Sequence, residues 1–159
     1  MKQKNLALWL KGIVIGIAVA GLIVLLLIVP AFGKSVVEDA PEYAGAYYPW
    51  LAFLWLCAVP CYYALYLGWK IAVNIGANKS FSMENANLLK RISALAIGDG
   101  VFFFVGNIAL LFLNFSHPGV TLMSLLVVFV AVAISVIAAS LSHLVQKAAD
   151  LQEQSDLTI

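Results

Sequence analysis

Charged residues are scarce in this chain. Asp, Glu, Lys and Arg make up 11% of its 159 residues, against roughly 25% in an average soluble domain. Hydrophobic residues reach 64% and fall into runs near the ~20 apolar residues that cross a bilayer. The composition excludes an ordinary soluble domain and indicates an integral protein of the lipid bilayer. The net charge of +1 gives no reason to expect direct binding of nucleic acid.

Residues that carry metal, haem or nucleophilic chemistry are also few. His117 and His143 are 26 positions apart, roughly 39 Å along a helix at ~1.5 Å per residue, so they cannot ligate one haem together. Cys57 and Cys61 lie in an apolar run without a disulfide or zinc-binding spacing. A redox pair is the alternative, but apolar surroundings favour simple packing. We therefore expect no catalytic, metal or cofactor site, and no enzyme activity.

Four apolar runs predict four transmembrane helices, at about residues 6–32, 50–73, 92–115 and 120–144. The connections are short, so we expect one all-α domain over residues 1–159, an antiparallel bundle of these helices. A polar tail at 147–159 should continue the last helix for a turn or two and then fray. The first run resembles a secretory signal peptide, but it exceeds the usual apolar core of ~7–15 residues, which favours an uncleaved anchor.

Helix boundaries are marked by proline and by capping residues. Pro60 interrupts the second run, where a kink is expected because proline lacks an N–H and clashes with the preceding turn. Ser82 suits a helix N-cap with Glu84 in the first turn. The third helix should therefore begin about two turns before the membrane.

The connection expected at residues 33–49 is acidic and aromatic. Tyr43, Tyr47, Tyr48 and Trp50 gather at its end, and Tyr and Trp prefer the level of the lipid headgroups. This cluster is expected to mark the membrane face where the second span begins, with a sensory role as the alternative.

The third run holds polar residues that a span normally avoids. Asp99 lies in its interior, where a charge costs roughly 2.5–3.5 kcal/mol on insertion scales. Asn107 and Asn114 follow on a slowly drifting stripe of the same helix, which we expect to face inward. The candidate intramembrane polar site comprises Asp99, Asn107, Asn114, Lys11, Lys70 and His143. We interpret Asp99 either as a structural residue that forms a hydrogen bond or ion pair with a neighbouring helix, or as a proton relay.

Small residues and basic residues predict packing and orientation. Gly12, Gly16 and Ala20 recur every four residues, a spacing that allows close approach of a helix from the same chain or, alternatively, from a second copy. Eight of the nine Lys and Arg residues lie at the termini and in the second connection, and only Lys34 lies on the other side. The positive-inside rule then places both termini in the cytoplasm.

Three segments carry a resemblance to a known family: Phe81-Ser82 with Glu84-Asn85, then Leu89-Lys90-Arg91-Ile92, and the terminal Asp156-Leu157-Thr158-Ile159. Together they resemble the DUF2975 family over essentially the whole chain. The resemblance implies a four-span protein of the bacterial inner membrane, often encoded beside a small helix-turn-helix regulator, and it supplies no catalytic residues. An arginine-glycine pair associated with the start of the tail is replaced here by Gln146-Lys147-Ala148-Ala149.

Three functions follow as hypotheses. The first is a membrane regulator or sensor that binds a cytoplasmic partner, such as the helix-turn-helix regulator. The tail Asp156, Leu157, Thr158 and Ile159 would add to a partner's sheet edge or dock in a groove, or would instead fold back under the bundle. The second is a small proton- or ion-coupled transporter that uses Asp99. The third is an immunity or scaffold protein of the membrane.

Overall fold

A computed structural model describes residues 3–156, with side chains through residue 155, and it is all-helical apart from short turns. The helices are α1 (Gln3–Ile23), α2 (Val29–Asp39), α3 (Tyr47–Gly76), α4 (Met83–Phe112) and α5 (Pro118–Asp156). A π-helical turn, Val24–Ile28, joins α1 to α2, and a 3₁₀ segment, Pro41–Ala46, leads into α3. Four of the resulting rods are long and apolar enough to cross a membrane. The predicted all-α, four-span class is confirmed.

The first rod runs without a break to Asp39, so the loop expected from residue 33 begins seven residues too early. Pro30 stands at the start of α2 and cannot donate to the preceding turn. The π-helical turn just before it widens the backbone and lets the helix pass the proline. The carbonyl of Leu25 in that turn accepts a hydrogen bond from Trp55 Nε1 at 3.1 Å.

Aromatic side chains of α3 attach it to the first rod. Besides the Trp55 bond, the Tyr62 hydroxyl donates to the Ala18 carbonyl at 2.7 Å. Gly21 makes room for this contact, because a Cβ there would lie 2.8 Å from the Tyr62 hydroxyl oxygen. Hydroxyl and indole donors need such partners in hydrocarbon, where no water is present to replace them.

The small-residue stripe of α1 faces away from this contact. Gly12, Gly16 and Ala20 are exposed, and a Cβ on either glycine would meet nothing within 4 Å in the described part of the chain. The expectation that this stripe packs within the chain is therefore wrong. The face that packs on α3 contains Ala7 and Gly21 instead, because the bulky α3 side chains need space there.

The helices pack in chain order. Across residues 3–156, the closest packed pairs are α1 and α2 on α3, α3 on α4, and α4 on α5, so consecutive antiparallel helices form a series with α1 and α5 at its ends. The fully buried residues Leu67 and Ala72 lie on α3, which packs on both sides. Most of the apolar surface of α1 and α5 remains exposed, as expected of helices that face lipid.

Small residues hold α4 against α5. A Cβ on Gly100 would lie 2.9 Å from the Ala131 Cβ, so the two helices approach closely at that level. The hydroxyls of Ser93 and Ser135 lie 3.0 Å apart, and Ser135 Oγ also donates to the Ser93 carbonyl. Such small and hydroxylated interfaces are typical of helices that associate in a membrane.

Candidate functional site

Asp99 lies half-buried on α4 and contacts α3. Its Oδ2 accepts a hydrogen bond from the Cys61 thiol at 3.3 Å. Its Oδ1 is buried and has no hydrogen-bond partner among the described residues. A thiol is a weak donor, so this carboxyl is only partly satisfied.

The cations expected near Asp99 are held by aromatic rings instead. Lys11 Nζ lies 5.3 Å from the centre of the Trp69 ring, and Lys70 Nζ lies 5.0 Å from the centre of the Tyr66 ring. His143 is exposed on α5. The expectation that one of these groups pairs with Asp99 is wrong, because cation–π contacts stabilise both lysines elsewhere.

The two asparagines of the predicted stripe have local roles. Asn107 is buried, and its Nδ2 donates to the Phe103 carbonyl one turn earlier in the same helix. Asn114 has a positive φ of 59° just after the end of α4, and Phe115 N donates back to the Leu110 carbonyl at 2.8 Å. This geometry is that of a helix C-terminus closed by a left-handed residue. The six residues of the candidate polar site therefore do not form one cluster.

A buried asparagine that the sequence analysis named only as part of the family resemblance organises one end of the molecule. Asn85 is 1% exposed, and its Oδ1 accepts from Asn74 Nδ2 at 2.9 Å. Its Nδ2 donates to the carbonyls of Lys79 and Ser80 at 3.0 and 3.1 Å. These bonds join the end of α3, the connecting turn and the start of α4; we call them the Asn85 clasp. In the sequence, the only sign of these bonds was that Asn74 lies eleven residues before Asn85.

All four rods meet near this clasp. Ala7 of α1 is buried beside Gly76, where an added Cβ would lie 3.2 Å from the Ala7 Cβ. Ser142 Oγ of α5 donates to the Ala86 carbonyl of α4 at 2.7 Å. We call this the terminal end, because α1 begins close to it and α5 passes it before continuing to Asp156. The Ser82 cap is confirmed here, because its Oγ accepts from Asn85 N at 3.3 Å.

The terminal end presents a mixed basic and apolar surface. Phe81 and Met83 are 59% and 43% exposed, and the nearby cations Lys79, Lys90 and Arg91 are also exposed. We call these five residues the terminal surface. Because the clasp holds the turn that carries Lys79 and Phe81, the surface is preformed.

Helix α5 is much longer than a span requires. Its 39 residues extend roughly 58 Å at ~1.5 Å per residue, about twice the ~30 Å hydrocarbon thickness. The predicted continuation of the helix past residue 147 is confirmed, and α5 runs roughly two and a half turns further, to Asp156. The Asp156 side chain and residues 157–159, which complete the proposed docking tail, lie outside the described residues.

A pocket of about 120 Å³ lies at the opposite end, which we call the loop end. It is a half-open pocket lined by α2, the 3₁₀ segment, the start of α3 and the turn between α4 and α5, which are far apart in the sequence. Gly33 forms part of its wall, where an added Cβ would lie 2.9 Å from Tyr47 Cε2. The pocket is almost entirely apolar.

Residues 33–159 match the family described as "Protein of unknown function (DUF2975)". The chain belongs to the DUF2975 family. It is 31% identical over 160 residues to the "Uncharacterized membrane protein YoaS" of Bacillus subtilis (strain 168), covering 99% of each chain. No solved structure matches it.

Part of the DUF2975 resemblance falls on the clasp. Ser82 and Asn85 carry its cap and its central amide, and Lys90 and Arg91 follow on the exposed side of α4. In this DUF2975 protein the segment therefore builds a fixed turn at the terminal end. It places no acid, base and nucleophile together in the way that a catalytic site requires.

Proposed function

We propose that this DUF2975 protein is a non-enzymatic regulator or sensor of the bacterial inner membrane that holds a cytoplasmic partner on its terminal surface. The Asn85 clasp is the observation that carries the proposal. A buried amide with its bonding capacity used keeps the turn in one conformation, so less conformational entropy is lost when a partner binds. Exposed Phe81 and Met83 then supply apolar anchors alongside the exposed cations of the terminal surface.

The distribution of charge supports a cytoplasmic position for this surface. Lys79, Lys90 and Arg91 belong to the terminal end, whereas Lys34 is the single basic residue of the first connection. Membrane proteins retain such basic segments in the cytoplasm. Both termini would then be cytoplasmic, and the projecting part of α5 would stand beside the terminal surface.

The partner we propose is a small helix-turn-helix regulator, in line with the family resemblance. A basic surface selects an acidic one, because opposite potentials steer association and like charges repel. The DUF2975 protein itself would not contact DNA. It would hold or release the regulator at the membrane.

Charge reversal tests this proposal. We expect Lys90→Glu with Arg91→Glu to reduce co-purification of the neighbouring regulator from membranes at least tenfold, because both side chains are exposed and their replacement leaves the clasp intact. Lys34→Glu is the matched control, an exposed reversal at the loop end that should leave recovery unchanged. If the wild type, the double variant and Lys34→Glu are equally stable to heat and recover equal amounts of the regulator, the proposal is wrong.

A second candidate is a proton- or ion-coupled transporter that uses Asp99. The observation that favours it is the buried Oδ1 without a partner in the described chain, since a carboxyl left half-satisfied in a span is typical of a titrating relay. In vesicles with an internal pH dye, Asp99→Asn should abolish proton flux and keep its melting temperature. Cys61→Ala should retain the flux. Wild-type vesicles as tight to protons as empty ones would exclude this candidate.

A further inference from the structure

The loop-end pocket has aromatic walls. Five aromatic residues line it, namely Phe32, Tyr43, Tyr47, Trp50 and Phe115. The described lining contains no Lys or Arg, and the Nδ1 of its histidine, His117, accepts a hydrogen bond from Gly119 N at 3.0 Å. The interior therefore offers ring surfaces and no fixed positive charge.

The size of the pocket limits its occupant. Its volume is about 120 Å³, and an engineered protein cavity of about 150 Å³ binds benzene. The loop-end pocket thus has room for one ring or one group of similar bulk, such as trimethylammonium. A whole lipid chain or a peptide segment is too large.

The walls are held in place before any ligand arrives. Tyr47 packs on Gly33, and its hydroxyl donates to the Pro30 carbonyl at 3.4 Å. Its ring also meets that of Tyr48 edge to face, with centroids 5.1 Å apart. A ligand would therefore not have to order these rings, which favours binding.

The segments that line the pocket carry three exposed acids, Glu38, Asp39 and Glu42, which we call the acidic rim. Glu38 directly follows the lining residue Val37, and Glu42 directly precedes the lining residue Tyr43. Both glutamates and Asp39 are exposed, and Lys34 is the single base in residues 33–49. The negative faces of Trp and Tyr rings attract cations, and acids at the rim raise the local cation concentration. An anion would be repelled, and a neutral apolar group would gain nothing from the acids.

We propose that the loop-end pocket binds a small organic cation of the quaternary ammonium class, with its methylated head against the aromatic walls and its charge facing the acidic rim. The proposal goes beyond the proposed function, for which the pocket would serve as the input of the sensor. It is tested without the cytoplasmic partner, so one proposal can fail while the other stands.

Two probes of the same shape separate charge from bulk. Choline carries a trimethylammonium group, and 3,3-dimethylbutan-1-ol carries a neutral tert-butyl group in its place. Titration calorimetry on the full chain in a non-ionic detergent should show choline binding at least tenfold more tightly than the neutral alcohol. Equal affinities would identify a plain apolar cleft and overturn the proposal, as would the absence of choline binding.

Variants locate the binding. Trp50→Leu removes one aromatic wall and should weaken choline binding at least tenfold, whereas Trp9→Leu, an exposed tryptophan on α1, should leave it unchanged. Glu38→Gln with Glu42→Gln keeps every wall and should weaken choline binding severalfold without affecting the neutral alcohol. If Trp50→Leu does not fold, the double variant Glu38→Gln with Glu42→Gln provides the test. Choline binding that neither variant alters would place the cation elsewhere and overturn the proposal.

The same cation chemistry can come from free choline or from a phosphatidylcholine headgroup. Nanodiscs of phosphatidylglycerol and of phosphatidylcholine distinguish these sources. If headgroups enter the pocket, choline affinity should fall in phosphatidylcholine discs, and equal affinity in both discs assigns the pocket to a free cation.

Discussion

Asp99 and Asn85 are polar side chains of the same helix in opposite situations. Asn85 uses both Nδ2 hydrogens and its Oδ1 in hydrogen bonds and is buried. Asp99 has one weak thiol donor at Oδ2 and a buried Oδ1 without a partner in the described chain. A fully bonded amide stabilises the fold, whereas a half-bonded carboxyl in a span costs free energy. We therefore expect Asn85 to stabilise the fold and Asp99 not to stabilise it.

Replacing Asp99 tests this difference. The thiol bond is worth no more than about 1 kcal/mol, while the carboxyl costs roughly 2.5–3.5 kcal/mol on insertion. We expect Asp99→Leu to melt no lower in detergent than the wild type, and Asp99→Asn to match it. A clear drop for the leucine variant would show that the carboxyl holds the helices together.

Replacing Asn85 should have the opposite result. Asn85→Ala leaves the carbonyls of Lys79 and Ser80 and the amide of Asn74 without their partner, so we expect a loss of about 2–3 kcal/mol in unfolding free energy. Faster proteolysis between residues 77 and 82 should accompany it. The control is Asn5→Ala, an exposed position on α1 that should change stability by less than about 0.5 kcal/mol. Equal stability of the two variants would show that the clasp contributes little.

At the scale of helices, the backbone accommodates two prolines within the spans in different ways. At Pro30 the preceding turn becomes π-helical, and Trp55 of α3 bonds the Leu25 carbonyl in that turn. At Pro60 the helix α3 continues from Tyr47 to Gly76 without interruption. At Pro30 the neighbouring helix α3 provides a donor for a carbonyl that the proline leaves free.

Helix packing also determines at which glycines an added side chain would lower the stability of the protein. Gly100→Ala would place a Cβ 2.9 Å from Ala131, so the α4 and α5 backbones would have to separate. We expect this variant to lower stability by about 1–3 kcal/mol. Gly12→Ala, with open space around it, should be neutral or slightly stabilising, since alanine is the better helix former by up to about 1 kcal/mol. Thermal unfolding of both proteins in the same detergent measures the difference, and a stable Gly100→Ala variant would contradict the close contact.

For the whole molecule, the packing in series gives the two ends different characters. The terminal end combines a buried amide clasp with exposed basic and apolar residues. The loop end combines an aromatic pocket with exposed acids. The proposed ligand site and the proposed partner surface would lie on opposite sides of the membrane, an arrangement suited to signalling across it.

Reporter fusions test which end faces the cytoplasm. From the bias of eight basic residues to one, we expect fusions at residue 45 to report the outside and fusions at residues 78 and 159 to report the cytoplasm. A periplasmic signal from residue 159 would invert the orientation and place the loop-end pocket inside the cell.

The sequence by itself determined the class of protein and several local features. Apolar runs of about 20 residues are long enough to cross a bilayer, so four candidate spans were predictable. Ser82 caps α4 through a bond to a residue three positions later, and rules of such short range can be applied to a sequence. The family match covers residues 33–159, which include this segment.

Only the tertiary structure decided which polar groups meet. Asp99 bonds to Cys61, 38 positions away, rather than to the cations expected at its depth, because aromatic rings hold two of those cations elsewhere. The clasp and the pocket likewise depend on side chains from different helices. The continuation of the first helix past residue 33 depends on how Pro30 is accommodated. Helical periodicity determines which face of its helix a residue occupies. The residue that it contacts there depends on how whole helices pack against one another, and a local stretch of sequence does not specify that packing.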